Sequence, residues 1–172
     1  MKLCREFAVG ILGLIALSGC IPIFVTPDGR VVGVDTNLSN VVSVFEPSRG
    51  QGATYRQGEA IAFNVYALQD GYLTLTALEP DGDVYVFSRN IFIRGGESVF
   101  LAGPDSRHTF GIETNAPRGI HRVRASFTPS PTNINIVTYS NVIGDDGWTQ
   151  SIRADISPYS VRDVVETSFF VQ

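Results

Sequence analysis

The stretch Ala60–Phe87, AIAFNVYALQDGYLTLTALEPDGDVYVF, decides the fold. Ala60 to Leu68 alternates, with Ile61, Phe63, Val65 and Ala67 on one side, as a strand with one buried face does. Asp70-Gly71 turns the chain. Tyr72 to Leu78 then alternates polar and aliphatic residues, Pro80-Asp81-Gly82 makes a second turn, and Val84 to Phe87 returns. The turn residues suit their places: proline presets φ, aspartate bonds its own backbone, and glycine accepts a positive φ. Three short strands joined by two turns read as a β-meander.

The same period continues outward on both sides. Val31–Val34 and Val41–Phe45 are β-branched runs before the meander. Strands are expected after it at Ser98–Leu101, His108–Glu113, Ile120–Phe127, Asn133–Tyr139 and Val164–Val171. Pro104, Pro117, Pro129 and Pro131 fall between them, which keeps proline out of strand interiors. Only Asp145–Ile156 lacks the alternation, and Asp146-Gly147-Trp148 suggests one short helical turn. Short strands at roughly eight- to twelve-residue spacing predict an all-β fold, an antiparallel two-sheet sandwich of Ig-like or Greek-key type. A small β-barrel is the runner-up.

The N-terminus reads differently. Met1 to Arg5 is a short basic head, and Ala8–Leu17 is an almost unbroken apolar run. As a helix it spans about 15 Å, half of a hydrocarbon core, too short to cross a membrane and right for an export signal. Leu17-Ser18-Gly19-Cys20 follows and resembles the lipobox of bacterial lipoproteins, matched at all four positions. By that resemblance the chain is cut before Cys20, whose thiol carries diacylglycerol, with palmitate among the acyl chains. More than one chain on one residue meets the requirement for stable anchoring. The expected division is a signal peptide at 1–19, a lipidated cysteine and tether at 20–27, and one sandwich domain at 28–172. Ile21 is not the aspartate associated with inner-membrane retention, so the resemblance implies the outer membrane of the cell envelope.

Loss of residues 1–19 would remove Lys2, Arg5 and Glu6, so the 13 basic and 17 acidic residues become 11 and 16, a formal charge of −5. Such a chain gains little from the counterion release that drives nucleic-acid binding, and no nucleic-acid partner is expected. Cys4 leaves with the signal and Cys20 is acylated, which leaves no disulfide in the mature form.

Tyr55-Arg56-Gln57-Gly58-Glu59, Asp70-Gly71-Tyr72-Leu73, Pro80-Asp81-Gly82 and Asn90 occur in that order. Leu101-Ala102-Gly103-Pro104 and Ala116-Pro117-Arg118-Gly119 continue the series. Across roughly residues 53–128 the chain resembles the family known as domain of unknown function 4384, whose members occur as envelope lipoproteins and as modules appended to bacterial kinases and caspase-like proteases. Phe87-Ser88-Arg89-Asn90 departs from the Leu-Phe-Pro-Asn of that family. The resemblance implies a binding or assembly module and brings no catalytic residues.

Several constellations could carry chemistry. His108 and His121 share the apolar parity of their strands, and inward imidazoles in an exported sandwich raise copper. If strands 108–113 and 120–127 pair through the Asn115–Gly119 turn, His108 lies opposite Ser126, about 17 Å along the strand from His121. A dismutase-type site also needs three or four imidazoles. Asp81-Gly82-Asp83 and Asp145-Asp146-Gly147 hold paired carboxylates that suit calcium or simply a turn. Arg122 and Arg124, on the outward parity, join Arg118 as candidates to contact an anionic glycan, lipid headgroup or protein carboxylate. Tyr72, Tyr85 and Trp148 could form an aromatic platform, with Tyr72 facing outward. No nucleophile elbow, HExxH helix, Walker loop or Cys/His pair occurs.

Two functions are therefore expected. The first is a membrane-anchored, non-catalytic binding module with no cofactor, serving another envelope or surface-layer protein or a cell-surface polymer. The alternative is a copper-dependent, superoxide dismutase-like redox enzyme using His108, His121 or both.

Overall fold

Alternating valine, leucine and phenylalanine side chains build two facing sheets, and a helix covers the back of the larger one. The computed structural model describes residues 24–27, 29–35, 37–102, 110–133, 135, 137 and 139–172. β1 (Phe24–Val25) and β2 (Val31–Val32) form a small antiparallel pair. β3 (Val42–Pro47), β4 (Thr54–Tyr55), β5 (Ala60–Ile61), β6 (Phe63–Ala67), β7 (Gly71–Leu78) and β8 (Val84–Ile93) follow. The chain continues through β9 (Ser98–Leu101), β10 (Phe110–Gly111), β11 (Gly119–Thr128), helix α1 (Gly144–Ile156) and β12 (Asp163–Val171).

The larger sheet has the order β4-β12-β11-β7-β8, the smaller one β3-β6-β9, and β5 pairs with β10. These pairs are antiparallel except β12 with β4. No sheet closes on itself, so the sandwich holds and the barrel does not. Leu73, Leu75 and Ala77 of β7, Val123, Ala125 and Phe127 of β11, and Val165 and Phe169 of β12 meet Phe63 and Val65 of β6 between the sheets. Burial of such side chains contributes about 1.5–3 kcal/mol each.

Alternation located most of the strands but not their partners. The expected meander is split: β7 and β8 pair, whereas β6 pairs with β3 and β9 in the other sheet. Asp70-Gly71 thus carries the chain between sheets, with Asp70 Oδ1 accepting from the Gly95 amide at 2.8 Å. The crossing brings Gly71 so close to Phe127 that a Cβ would lie 2.3 Å from the ring. Likewise, Phe110 and Gly111 pair with Ile61 and Ala60, and β11 lies between β12 and β7, so the expected 108–113/120–127 hairpin does not form. Among the described residues of 133–139 there is no strand.

The largest difference is α1, a thirteen-residue helix where one turn was expected. Trp148, Ile152 and Ile156 recur every fourth position and pack with Val31, Val34, Leu78 and Val164 in a second apolar cluster. That layer buries the face of β7 and β11 that the sequence reads as exposed, and Thr76 and Arg124 are both 0% exposed. Val25, inside the segment read as tether, packs at the edge of this cluster.

Candidate functional site

A cleft of about 620 Å³ runs along β8, the outermost strand of the larger sheet, opposite β10. Its floor is aromatic because Tyr85 and Phe87 alternate toward the sandwich side. Tyr85 meets Phe87 at 4.9 Å between ring centroids, and Phe87 meets Phe110 at 5.7 Å. Phe63 backs both Phe87 and Phe110 at 6.0 Å. Val142 and Ile143, ahead of α1, form a rim, and Ile143 is 70% exposed.

One mouth of the cleft is acidic. The β7–β8 turn closes with the Glu79 amide donating to the Asp83 carbonyl at 2.9 Å and the Gly82 amide to Glu79 at 3.0 Å. Gly82 has φ +98°, the left-handed backbone that the turn requires. This places Glu79, Asp81 and Asp83 together, and Glu79 and Asp83 face Glu113 across the cleft. The Glu113 segment is held by the Ile112 amide donating to the Glu59 carbonyl and the Gly58 amide to Ile112, both at 2.9 Å. Burial, then the charges of Asp81, Glu113 and Asp83, push the Glu79 carboxyl up to about 7. Burial first, then Glu79 and Glu113, raise the Tyr85 hydroxyl as well.

His121 lies behind Glu79. It is 1% exposed and stacked on Phe169 at 5.2 Å, and its Nε2 is 2.7 Å from the Pro117 carbonyl. Its Nδ1 is buried without a hydrogen-bond partner and faces Glu79 Oε1 at 3.8 Å. Burial lowers its pKa, which favours the neutral ring. Among the described residues, no group of three His, Cys, Asp or Glu side chains is placed to hold a metal ion. His108 and Cys20 lie outside the described residues.

The other sequence-derived candidates scatter. Arg124, expected to face outward, is buried beneath α1. It donates to Glu166 Oε2 at 2.7 Å, Thr149 Oγ1 at 2.7 Å and Asp145 Oδ1 at 2.8 Å, and its guanidinium lies 3.9 Å from the Trp148 ring centroid. Arg122 is partly buried in the same network, bidentate to Glu166 at 2.6 and 2.9 Å. Both arginines therefore spend their charge on the chain's own carboxylates, and Asp145 is engaged by them rather than open to calcium. Arg118 is exposed in the turn before β11.

The aromatic platform does not assemble. Tyr85 belongs to the sandwich side of the sheet and Trp148 to the helix side, where its Nε1 donates to Thr76 Oγ1 at 2.8 Å. Tyr72 is half-buried against Phe92 at 5.4 Å. Of the three aromatic candidates, Tyr85 lines the cleft, and Asp83 of the candidate Asp81-Gly82-Asp83 turn lines it too. Of the cleft carboxylates, the sequence singles out Asp81 and Asp83 as a turn or calcium pair but not Glu79 and Glu113, because nothing in their spacing shows that Glu113 sits opposite Glu79.

The corner at Ser88–Asn90 is structural. Asn90 adopts φ +55° beside an irregularity in the β7–β8 register. Its Oδ1 accepts from the Thr132 amide at 2.7 Å, and its Nδ2 donates to the Thr132 carbonyl at 3.0 Å. Arg89 reaches Asp155 at 3.0 Å, tying β8 to α1.

Neither a curated protein nor a solved structure matches the chain. A family model does, over residues 54–131, which take in β4 to β11 and the floor and acidic mouth of the cleft, whereas α1 and β12 lie beyond it. Over that segment the chain is similar to the family described as Domain of unknown function (DUF4384).

Proposed function

We propose that the chain is a lipid-anchored envelope protein whose sandwich is a non-catalytic binding and assembly module for another envelope or surface-layer protein. The observation that carries the binding half is the open cleft beside β8, which pairs an aromatic floor with polar groups at one end, as ligand sites do. Anchoring rests on Leu17-Ser18-Gly19-Cys20, with an outer-membrane location the one that Ile21 favours. Confinement to a membrane surface raises the effective concentration of the module for its neighbours, so modest intrinsic affinity suffices. The copper-dependent alternative gains no support at His121, whose Nε2 is held by a backbone carbonyl and whose ring is buried.

The test has two arms. Labelled palmitate is expected to enter the wild-type chain and not Cys20→Ser, and the variant is expected to leave the membrane fraction. Detergent-solubilised envelopes are expected to yield the chain with a stoichiometric protein partner. Recovery as a monomer consuming superoxide with bound copper would overturn the reading.

A further inference from the structure

We infer that the cleft beside β8 receives an arginine- or lysine-bearing segment of the partner protein, its cationic side chain seated among Glu79, Asp83 and Glu113 against the ring of Tyr85. The inference rests on the binding-module reading and names the chemistry of the partner.

Charge accounting within the chain is the first support. Five carboxylates elsewhere are matched by the chain's own arginines: Glu166 by Arg122 and Arg124, Asp155 by Arg89, Asp35 by Arg162, Asp163 by Arg30 and Glu59 by Arg49. Other unmatched ones among the described residues, such as Glu46 and Asp146, stand apart from one another. Glu79, Asp81, Asp83 and Glu113 have no arginine partner among the described residues. The charges acting on Glu79 are the other three carboxylates, and among the described residues the basic ring facing it is His121. That ring is almost wholly buried behind Glu79, its Nδ1 3.8 Å from the carboxylate and its neutral form favoured, so it does not offset the negative field at this mouth. Low-dielectric walls focus such a field into the cleft.

Shape and wall chemistry select the ligand. A bare divalent ion needs several oxygens converging at ligand distance, and no such grouping occurs among the described residues. A cavity of about 620 Å³ instead suits a side chain with its flanking backbone. Aromatic faces attract guanidinium and ammonium groups and repel anions. The adjoining Phe87 and Phe110 rings offer apolar contact to the neighbouring residue of a peptide, which a small amine does not use. A cation favours ionised Glu79, so binding should take up less charge penalty as pH rises toward 8.

The probe is a short fluorescent peptide with two arginines flanking one phenylalanine, titrated into the detergent-solubilised full chain and followed by anisotropy. Tighter binding than the same peptide with glutamines in place of the arginines is expected, by about tenfold. The advantage should shrink in Glu79→Gln and in Glu113→Arg, the latter at an exposed position, with circular dichroism verifying both folds. Equal binding of the two peptides, or an unchanged arginine advantage in both variants, overturns the inference. Displacement of the peptide by spermidine at equal concentration would show that the site prefers a free polyamine and would overturn it too. Envelope capture separates the levels: a partner retained equally by wild type and Glu113→Arg rejects this site and leaves the module reading standing, whereas no partner on wild type rejects the module reading itself.

Discussion

Glu79 and His121 oppose each other in how they weight the fold against pH. Below pH 4.5 the Glu79 carboxyl is protonated in both folded and unfolded chains, and it has no effect. Because its folded value is raised to about 7, the fold must carry a charge at higher pH that the unfolded chain holds more easily. Glu79 therefore erodes stability as pH climbs from about 4.5 to about 7. His121 acts the other way, since its lowered value makes stability present above pH 6.5 fall away as pH drops. Glu79→Gln should raise the thermal midpoint by about 2–5 °C at pH 8 and leave it unchanged at pH 4, as scanning calorimetry would register. A gain at both pH values would point to packing rather than charge. The Arg124 network obeys a different rule: Glu166→Ala leaves a fully buried guanidinium short of its main partner and should cost about 3–5 kcal/mol. Arg124→Met fills similar volume, and Glu166 keeps its two bonds to Arg122, so the expected loss is smaller, about 1–2 kcal/mol. Urea denaturation of both variants tests the order, and the reverse order would refute the argument.

At the scale of elements, α1 shows what sequence does and does not reveal. Its first turn, Gly144-Asp145-Asp146-Gly147, is poor in helix formers, and no side chain caps it. Propensity therefore hides the helix, although two acidic residues at its start suit the helix dipole. The signal that was present is the spacing of Trp148, Ile152 and Ile156, about one turn apart on one helix face, with the polar Gln150 breaking the alternation that a strand would show. Strand positions were legible because alternation of period two is local. Partners were not, since Phe110 joining Ile61 rather than the following strand depends on two sheets folding around one interior. Arg122 and Arg124 were read as exposed for the same reason: their parity is outward from the sandwich but inward to α1. The cleft inherits the limit, with Tyr85 legible as a strand residue and its meeting with Glu113 not. Trp148 is the residue on which the helix depends, being 0% exposed and bonded to Thr76. Trp148→Ala should cost about 3–5 kcal/mol, while Phe92→Ala, at a half-exposed ring, should cost much less in the same denaturation series. Equal losses would mean that α1 contributes little to the fold.

For the molecule as a whole, the decisive feature is that the larger sheet serves both interiors. Leu75 and Val123 face the smaller sheet, while Leu78 and Val164 of the same sheet face α1, so neither apolar cluster can dissolve without baring a side of β7, β11 or β12. Three polar ties reinforce the coupling across the back of that sheet: Arg124 to Asp145, Arg89 to Asp155, and the Trp148 indole to Thr76. The helix layer is thus part of one cooperative unit rather than an appendage to the matched family segment, even though that segment ends at residue 131. Trp148 is the one tryptophan of the chain and sits in the helix layer, so its fluorescence reports that layer, whereas far-ultraviolet circular dichroism reports mostly strands. The two signals should trace one urea transition with the same midpoint and slope, as a two-state domain requires. Asp155→Asn, which weakens the clamp to Arg89, should shift both midpoints together. A fluorescence transition that precedes the circular dichroism change would show that α1 leaves while the sandwich persists, and would disprove the shared-sheet account.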